Sequence, residues 1–210
     1  IKYGHSEVGN FTLEDQIYEQ NEIEFNPDTL ESAADQLVIA KWILRTLAYK
    51  YGLTITFAPK ITVGKAGSGM HVHTRLMKDG KNMMVEPGGL SDIAKKAIAG
   101  YVDLASSLTA FGNTNPTSYF RLVPHQEAPT NICWGDRNRS VLVRVPLGWS
   151  KGTKDMLSVA NPLEEDLGKD FSVKQTVEFR CPDGSADIYL LLAGLTVAAR
   201  HGLEMKDALS

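Results

Sequence analysis

Apolar side chains recur every three or four residues in one long segment near the start of the chain, which is the spacing of an amphipathic helix. The positions are Leu30, Ala33, Ala34, Leu37, Val38, Ala40, Ile43, Leu44, Leu47 and Ala48. Asp28, with Glu31 three residues later, predicts a capping box at the start of this helix, and Gly52 predicts its end. Two further helices are predicted over residues 91–111 and 186–201.

Shorter apolar runs bounded by turn residues predict strands. They cover residues 53–57, 70–77, 82–85, 118–122, 130–134, 141–145 and 176–181. A hairpin turn is predicted over residues 78–81, and the Gly-, Lys-, Asp- and Pro-rich residues 146–174 are interpreted as an excursion from the sheet. Strands that carry polar side chains, together with three apolar helices, predict an α+β domain with one solvent-facing, functional sheet surface.

The composition is that of an ordinary folded domain and excludes several classes of protein. The 210 residues are 43% hydrophobic and 22% charged, which is enough apolar material for a core and too little charge for a disordered chain. The net charge of −3 argues against a general nucleic-acid binder, and no apolar run reaches the roughly 20 residues of a membrane span. We therefore expect no nucleic-acid or membrane partners. Cys133 and Cys181 alone do not make a disulfide framework, which favours a cytoplasmic protein.

Charged residues and histidines alternate with apolar residues in the predicted strands. His71 and His73 are two residues apart, so both imidazoles lie on the same side of the strand, and Glu178 and Arg180 share a side in the same way. Imidazole is a common metal ligand. Each pattern has a plain alternative, because His-x-His occurs by chance and an exposed Glu–Arg pair on a strand stabilises little.

Several arginines in one region favour phosphate chemistry. They are Arg121, Arg137, Arg139, Arg144 and Arg180, with Glu127 and Glu178 among them. Phosphoryl transfer needs carboxylates that hold Mg²⁺ and arginines that neutralise the transferred group, whereas a charged, solvated sheet face is the alternative interpretation. The glycine-rich run over residues 64–69 lacks the order of a phosphate-binding loop.

Eight short motifs then follow one another along the chain. They are His5-Ser6-Glu7-Val8, Gln20-Asn21-Glu22-Ile23, Ala33-Ala34-Asp35, Gly67-Ser68-Gly69-Met70-His71-Val72-His73, Asn115-Pro116-Thr117-Ser118-Tyr119, Arg121-Leu122-Val123-Pro124 with Glu127-Ala128-Pro129, Asn138-Arg139-Ser140 through Arg144, and Glu178-Phe179-Arg180-Cys181-Pro182-Asp183. In this order the chain resembles the catalytic domain of glutamine synthetase from Glu7 to about Leu192. The resemblance implies a curved, mostly antiparallel sheet backed by helices.

The resemblance also implies a reaction and its cofactors. The family is an ATP-dependent ligase that joins ammonia to glutamate through γ-glutamyl phosphate, with two Mg²⁺ or Mn²⁺ ions in a funnel-shaped active site. By resemblance, Glu7 and Glu22 would hold the metal nearer the substrate. His71 and Glu178 would hold the metal that bridges the ATP phosphates.

Other residues are carried over by the same resemblance to substrate, nucleotide and catalytic roles. The substrate-binding residues would be Arg121, Arg180 and the backbone of Gly67. The ATP-binding residues would be His73, Arg139, Arg144 and Phe25. The catalytic residues would be Glu127 and Arg139. Arg139 would stabilise charge during phosphoryl transfer. Glu127 would close over the site and take a proton from the bound ammonium.

Several positions depart from the family pattern. Ala66 replaces the family's asparagine, and Arg75 replaces its serine. Thr176 lies where the family often has an ATP-facing arginine, and His125-Gln126 replaces its Gly-Tyr. Residues 11–18 and 147–174 look like insertions. Two alternatives therefore stay open: a glutamate ligase that uses another amine, and a non-catalytic homologue for ligand sensing or assembly. A third and weaker alternative, a His-x-His metallo-oxygenase of β-barrel type, fits badly with three long helices.

We expect residues 1–210 to be a single, truncated catalytic domain. The family carries an N-terminal β-grasp-like domain and a Glu-x-Glu strand upstream of the His-x-Glu-Val segment, with which this chain begins. Each metal site would then lack one carboxylate, and the fragment alone would be inactive. The homo-oligomeric ring, in which the N-terminal domain helps to build the neighbouring subunit's site, would belong to the full-length protein.

Overall fold

The computed structural model describes residues 1–87, 89–126, 128–146, 159, 162–163 and 172–210, and these form two compact units. The first unit comprises Ile1–Met70, Ser107–Ala128 and Cys181–Gly194, and the second comprises His71–Ser106, Pro129–Arg180 and Leu195–Ser210. That residues 1–210 are one truncated catalytic domain stays a prediction. None of the described helices is long and apolar enough to cross a membrane.

The first unit begins with two small antiparallel sheets. Strand β1 (Tyr3–Ser6) pairs with β4 (Asn21–Glu24), and between them β2 (Phe11–Leu13) and β3 (Gln16–Tyr18) form a hairpin. Its turn residues Glu14 and Asp15 have φ values of 49° and 64°, the left-handed region that a tight hairpin turn requires. The segment predicted as an insertion at residues 11–18 is therefore a self-contained β-hairpin.

Helix α1 (Leu30–Lys50) follows the predicted apolar pattern but starts differently. Thr29 is its N-cap, while the Asp28 carboxylate accepts hydrogen bonds from the Thr29 amide and from Nε2 of Gln36. The predicted capping box is therefore wrong. Gly52 ends the helix as predicted, with a φ of +66°.

Two of the predicted strands are not strands. Residues 53–57 pair with no strand in the described parts of the chain, and Leu53 donates its amide to the Ala48 carbonyl at the end of α1. Residues 118–122 lie largely in helix α4 (Pro116–Arg121), because Pro116 suits the first helical turn and the Asn115 side chain accepts the Thr117 amide hydrogen bond at 3.0 Å.

The second unit is built on a four-stranded sheet with the order β10–β11–β12–β5 among the described residues. The strands are β5 (Val72–Thr74), β10 (Asn131–Asp136), β11 (Val141–Val145) and β12 (Val177–Phe179). Only the β10–β11 pair is parallel within these strands. Two short hairpins, β6 (Met77–Lys78) with β7 (Lys81–Asn82) and β8 (Val85–Glu86) with β9 (Gly89–Leu90), follow β5, and a 3₁₀ turn (Ser172–Lys174) precedes β12.

Helix α2 (Asp92–Asp103) packs on this sheet and supplies its core with the buried Ile98 and Tyr101. The Ser91 hydroxyl caps α2 by accepting the Ala94 amide hydrogen bond at 3.1 Å. The single helix predicted over residues 91–111 is divided in the structure into α2 and α3 (Ala105–Gly112), and the last helix is α5 (Ile188–Glu204). The prediction of an α+β fold with a mostly antiparallel sheet is confirmed; the predicted insertion at residues 147–174 lies largely outside the described residues.

Candidate functional site

The second unit holds a buried carboxylate surrounded by basic side chains. Glu178, in the middle of β12, is 1% exposed. Its Oε1 accepts a hydrogen bond of 2.6 Å from Nη1 of Arg180 and lies 3.1 Å from Nδ1 of His71. Its Oε2 lies 2.6 Å from Nε of Arg144, but neither of these two buried atoms completes a hydrogen bond.

The strand register explains why these groups meet. Glu178 lies directly opposite Arg144 on β11 and opposite His73 on β5. Opposite residues of antiparallel strands project to the same side of the sheet, so one face carries the carboxylate, the guanidinium and the imidazole. The contact of His71 with Glu178 places both histidines on that face, as the His-x-His spacing predicts.

The basic neighbours decide the charge state of Glu178. Burial by itself raises the pKa of this carboxyl group, because desolvation penalises the charged form. The hydrogen bond and charge of His71 oppose that effect, as do the charges of Arg180 and His73, and together they lower the pKa to about 2. Glu178 is therefore a carboxylate at neutral pH although it is buried.

This burial separates the alternatives that the sequence left open. Arg180 is 3% exposed and Glu178 is 1% exposed, so the interpretation as an exposed strand with a weak ion pair is wrong, and so is the expected solvent-facing surface at these two positions. Arg144 is also largely covered, with 21% of its side chain exposed. A buried, ionised carboxylate held by two guanidinium groups is typical of a site for charged ligands.

The first unit brings a histidine and two carboxylates together near its N-terminus. His5 and Glu7 alternate on and just after β1, and His5 lies opposite Glu22 on β4. One potential ligand atom from each of the three residues lies within 4.8 Å of the other two. Nε2 of His5 is 2.7 Å from Oε1 of Glu7. In the described part of the chain this is the one group of three such residues with a geometry that fits a metal ion.

The structure brings Glu7 and Glu22, the two residues that the resemblance assigns to one metal, to within 4.8 Å of each other, and their role as ligands stays a prediction. His5 was not singled out as a candidate ligand. The signal that would have found it is the spacing of His5 and Glu7, since residues two apart share one side of a strand.

Arg121 and Gly67 also meet in the first unit. Arg121 is 3% exposed and donates a hydrogen bond of 2.8 Å from Nη1 to the carbonyl oxygen of Cys181. A Cβ on Gly67 would lie 2.8 Å from Cγ of Arg121 and equally close to the Pro59 carbonyl oxygen, so only glycine fits there. The predicted strand position of Arg121 is wrong, because it ends α4, but its predicted nearness to Gly67 is found.

Comparison with known proteins decides the family. Residues 7–210 match the sequence model of the catalytic domain of glutamine synthetase. The chain belongs to the glutamine synthetase family. The expected resemblance is confirmed over nearly the whole chain.

Individual glutamine synthetases show the same extent of similarity. The enzyme of Pyrococcus furiosus is 39% identical over 202 residues, which are 96% of this chain and 39% of that protein. The enzyme of Mycolicibacterium smegmatis is 38% identical over 209 residues, or 98% of this chain and 38% of its own length. The chain thus spans well under half the length of these curated relatives.

Solved glutamine synthetase structures share the fold. A cryo-EM structure of Plasmodium falciparum glutamine synthetase superposes with a TM-score of 0.69 and 28% identity, covering 90% of this chain and 32% of that one. The crystal structure of a glutamine synthase homologue gives 0.66 at 29% identity, covering 84% and 38% respectively.

The other described residues to which the resemblance assigned a role are half-buried or exposed. Phe25 is half-buried just after β4 in the first unit, and Arg139 is exposed after β10 in the second. His73 is exposed, with Nδ1 3.2 Å from Oγ1 of Thr176. Glu127, the predicted proton acceptor, lies outside the described residues.

Two departures from the glutamine synthetase pattern lie on one edge of the second-unit sheet. Thr176 precedes β12 and contacts His73, and Arg75 follows β5 and donates a hydrogen bond of 2.9 Å from Nη1 to the Val173 carbonyl. Both residues are half-buried. The side chain of Thr176 is shorter than that of an arginine and carries no charge.

Proposed function

We propose that the chain supplies the catalytic domain of an ATP-dependent ligase that joins ammonia to the side-chain carboxylate of glutamate through γ-glutamyl phosphate. The observation that carries the proposal is the arrangement around Glu178, which is 1% exposed, accepts a hydrogen bond of 2.6 Å from Arg180 and lies 3.1 Å from Nδ1 of His71. A buried carboxylate with imidazole and guanidinium neighbours is suited to holding a metal ion and phosphate groups together.

The residues present fit the divalent metals that the family implies. The ionised carboxylate of Glu178 offers the oxygen ligands that a hard cation prefers, and Nδ1 of His71 lies 3.1 Å from its Oε1. We propose that Glu178 and His71 hold one Mg²⁺ or Mn²⁺, and that Glu7 and Glu22 hold a second. A bound divalent ion neutralises charge on the phosphates. The further ligands of each site would come from outside this chain.

In the second unit the arginines would act on the phosphates. Arg144 and Arg180 are fixed by Glu178, so their guanidinium groups are held in place before a ligand binds. Arg139 is exposed and would stabilise negative charge during transfer, and His73 would contact the nucleotide. Arg180 would also bind the carboxylate of the substrate.

In the first unit the proposed roles are substrate and nucleotide binding. Arg121 and the backbone of Gly67 would bind glutamate, and Phe25 would pack near adenine. Glu127 would take the proton that ammonium must lose before nitrogen can attack the acyl phosphate. These roles rest on the match of each residue to the family motif.

Two finer alternatives are favoured by specific residues. Ala66, Arg75 and Thr176 replace polar residues of the family pattern. If these changes reshape the amine site, the amine differs from ammonia. A ligand-sensing homologue would tolerate the same changes. We further propose that the complete protein is a cytoplasmic homo-oligomeric ring. Because the chain spans 39% of its relatives' length, we expect the 210 residues alone to be inactive.

The nucleotide part of the proposal is tested by measuring the affinity of the 210-residue chain for Mg²⁺·ATP with calorimetry. Arg144→Gln should weaken binding about tenfold, the usual effect of losing a charged hydrogen-bond donor. Arg137→Gln is the matched control, because Arg137 is an exposed arginine of the same unit whose Nε pairs with Asp136 at 3.4 Å. Equal effects of the two substitutions would contradict a phosphate-binding role for Arg144.

Ligase activity is tested with a full-length protein that contains the chain. Phosphate release that requires both glutamate and ammonia supports the proposed reaction. Release with another amine only supports the first alternative, and ATP and glutamate binding without turnover supports the sensing homologue. Turnover by the isolated 210 residues would contradict the expected inactivity.

A further inference from the structure

His5, the histidine of the first-unit cluster, is not among the ligands predicted from the sequence, and the match to the family model begins only at residue 7. His5 lies on β1, directly opposite Glu22 of β4. Its side chain is 42% exposed, and Glu7 beside it is 32% exposed, so solvent ions reach both. Nε2 of His5 approaches Oε1 of Glu7 to 2.7 Å.

The spacing of the three side chains suits one cation. Ligands bound at about 2.1 Å from a metal lie up to roughly 4.2 Å from each other on opposite sides of it. The candidate atoms of His5, Glu7 and Glu22 lie within 4.8 Å of one another, slightly beyond that limit, so small side-chain rotations would bring them around one ion. The paired strands β1 and β4 hold His5 opposite Glu22, and the Glu7 amide donates a hydrogen bond of 2.7 Å to the Gln20 carbonyl.

The imidazole changes the kind of metal that the cluster prefers. Carboxylate oxygens suit both Mg²⁺ and Mn²⁺, whereas imidazole nitrogen binds transition ions such as Mn²⁺ more strongly than it binds Mg²⁺. Two carboxylates with one imidazole therefore favour a transition ion over Mg²⁺. Two carboxylates alone give no such preference.

We propose that His5 is a third protein ligand of the first-unit metal site and makes that site select Mn²⁺ or Co²⁺ over Mg²⁺. This inference rests on the proposed metal site at Glu7 and Glu22 and adds to it the selecting residue. The competing explanation is that His5 is only a surface ion-pair partner of Glu7.

Metal binding by the 210-residue chain tests the inference without any activity. A His71→Gln background removes the histidine next to Glu178, so that the first-unit site is observed. Mn²⁺ and Mg²⁺ affinities are measured by calorimetry, and pulsed EPR of bound Mn²⁺ detects a directly bound imidazole nitrogen. His201→Gln is the matched control, since His201 is an exposed histidine whose Nε2 is 2.8 Å from Asp103.

In that background, His5→Gln should lower Mn²⁺ affinity at least tenfold, change Mg²⁺ affinity less than threefold, and remove the nitrogen signal. His5→Asp should restore binding but shift the preference toward Mg²⁺, which a purely structural role of His5 would not produce. His201→Gln should change none of these quantities. Circular dichroism and the melting temperature of each variant establish that the chain is folded.

The outcomes separate this inference from the proposed function. If Glu22→Gln abolishes Mn²⁺ binding while His5→Gln leaves affinity and nitrogen signal unchanged, His5 is not a ligand and the inference is overturned, although the carboxylate site stands. If the 210-residue chain binds no Mn²⁺, the same substitutions are compared in the full-length protein, which supplies the remaining ligands. If Glu22→Gln has no effect on Mn²⁺ binding there, the first-unit metal site itself is overturned and the inference with it.

Discussion

Arg180 donates a hydrogen bond of 2.6 Å to Glu178, two residues before it in the chain, and both side chains are almost completely buried. Residues two apart on a strand share one side, so this segment buries opposite charges next to each other. An ion pair removed from water contributes little net stability by itself. Its presence at the centre of the sheet is therefore more easily explained by ligand binding than by folding.

Removal of one member of this pair should be costly. Glu178→Ala leaves the guanidinium of Arg180 buried without its partner, and we expect the free energy of unfolding to fall by about 3–5 kcal/mol. Glu204→Ala removes an exposed glutamate paired with Arg200 at 2.8 Å and should cost less than about 0.5 kcal/mol. Urea unfolding followed by circular dichroism measures both, and similar costs would contradict the buried-pair interpretation.

The low pKa of Glu178 predicts how stability depends on pH. The folded-state pKa is about 2 and the ordinary value is 4.5, so protonation is easier in the unfolded chain. The contribution of this group is present above pH 4.5 and is lost as pH falls toward 2. It amounts to the order of 3 kcal/mol.

Urea unfolding of the parent chain and of Glu178→Gln at several pH values between 7 and 2 tests this dependence. The stability difference between the two should shrink as the pH falls. Glu204→Gln serves as the comparison, because the exposed ion pair of Glu204 with Arg200 contributes little stability at any pH, so its difference from the parent chain should stay small. A Glu178→Gln difference that is independent of pH would contradict the lowered pKa.

Two glycines allow α2 and α5 to cross at backbone contact in the second unit. A Cβ on Gly100 would lie 1.9 Å from the carbonyl oxygen of Ala198, and a Cβ on Gly202 would lie 1.9 Å from that of Lys96. Backbone atoms cannot rotate away, so Gly100→Ala should destabilise the protein by about 3 kcal/mol despite the better helix propensity of alanine.

Gly194→Ala is the control for that substitution. Gly194 also lies in α5, but its nearest neighbour would be the flexible Cδ2 of Leu108 at 3.1 Å. We expect a change within about 1 kcal/mol, since side-chain movement offsets the contact. Thermal unfolding of the two variants measures the difference, and equal melting temperatures would contradict the close helix crossing.

The elements with strong periodicity were predictable from the sequence. The apolar stripe places α1 close to its observed Leu30–Lys50, and the strand predicted at residues 141–145 is β11. Helix α4 was missed because six residues are too few for a 3.6-residue period to appear, although Asn115 and Pro116 are start signals for a helix. Residues 53–57 failed as a strand because strand formation depends on a partner that sequence alone does not supply.

The sequence predicted which types of side chain form the candidate site, but not how buried they are or which strands bring them together. Alternation placed Glu178 and Arg180 on one face but indicated nothing about burial, because burial depends on which other elements cover that face. The strand register, which places Arg144 of β11 opposite Glu178, is not visible in the local pattern. The cluster around Glu22 depends on the β1–β4 register, which brings His5 from 17 residues away. Register is fixed by turns and packing, and no local pattern in either strand determines it.

The two cysteines should react very differently with thiol reagents. Cys181 is 4% exposed, and Sγ is 3.1 Å from Oδ1 of Asn113. Burial raises the pKa of the Cys181 thiol to about 11 from 9.0, with the charge of Arg121 opposing the shift and that of Asp183 adding to it. Cys133, in β10, is only half-buried.

Because the thiolate is the reactive form, Cys181 in the folded protein should react at least about 100-fold more slowly than an ordinary thiol at pH 8. Labelling with an aromatic disulfide reagent should therefore release one equivalent quickly, and Cys133→Ser should abolish this fast phase while Cys181→Ser leaves it intact. The second equivalent should appear only in denaturant, at a rate set by unfolding. Two fast equivalents from the native chain would contradict both the burial of Cys181 and its raised pKa.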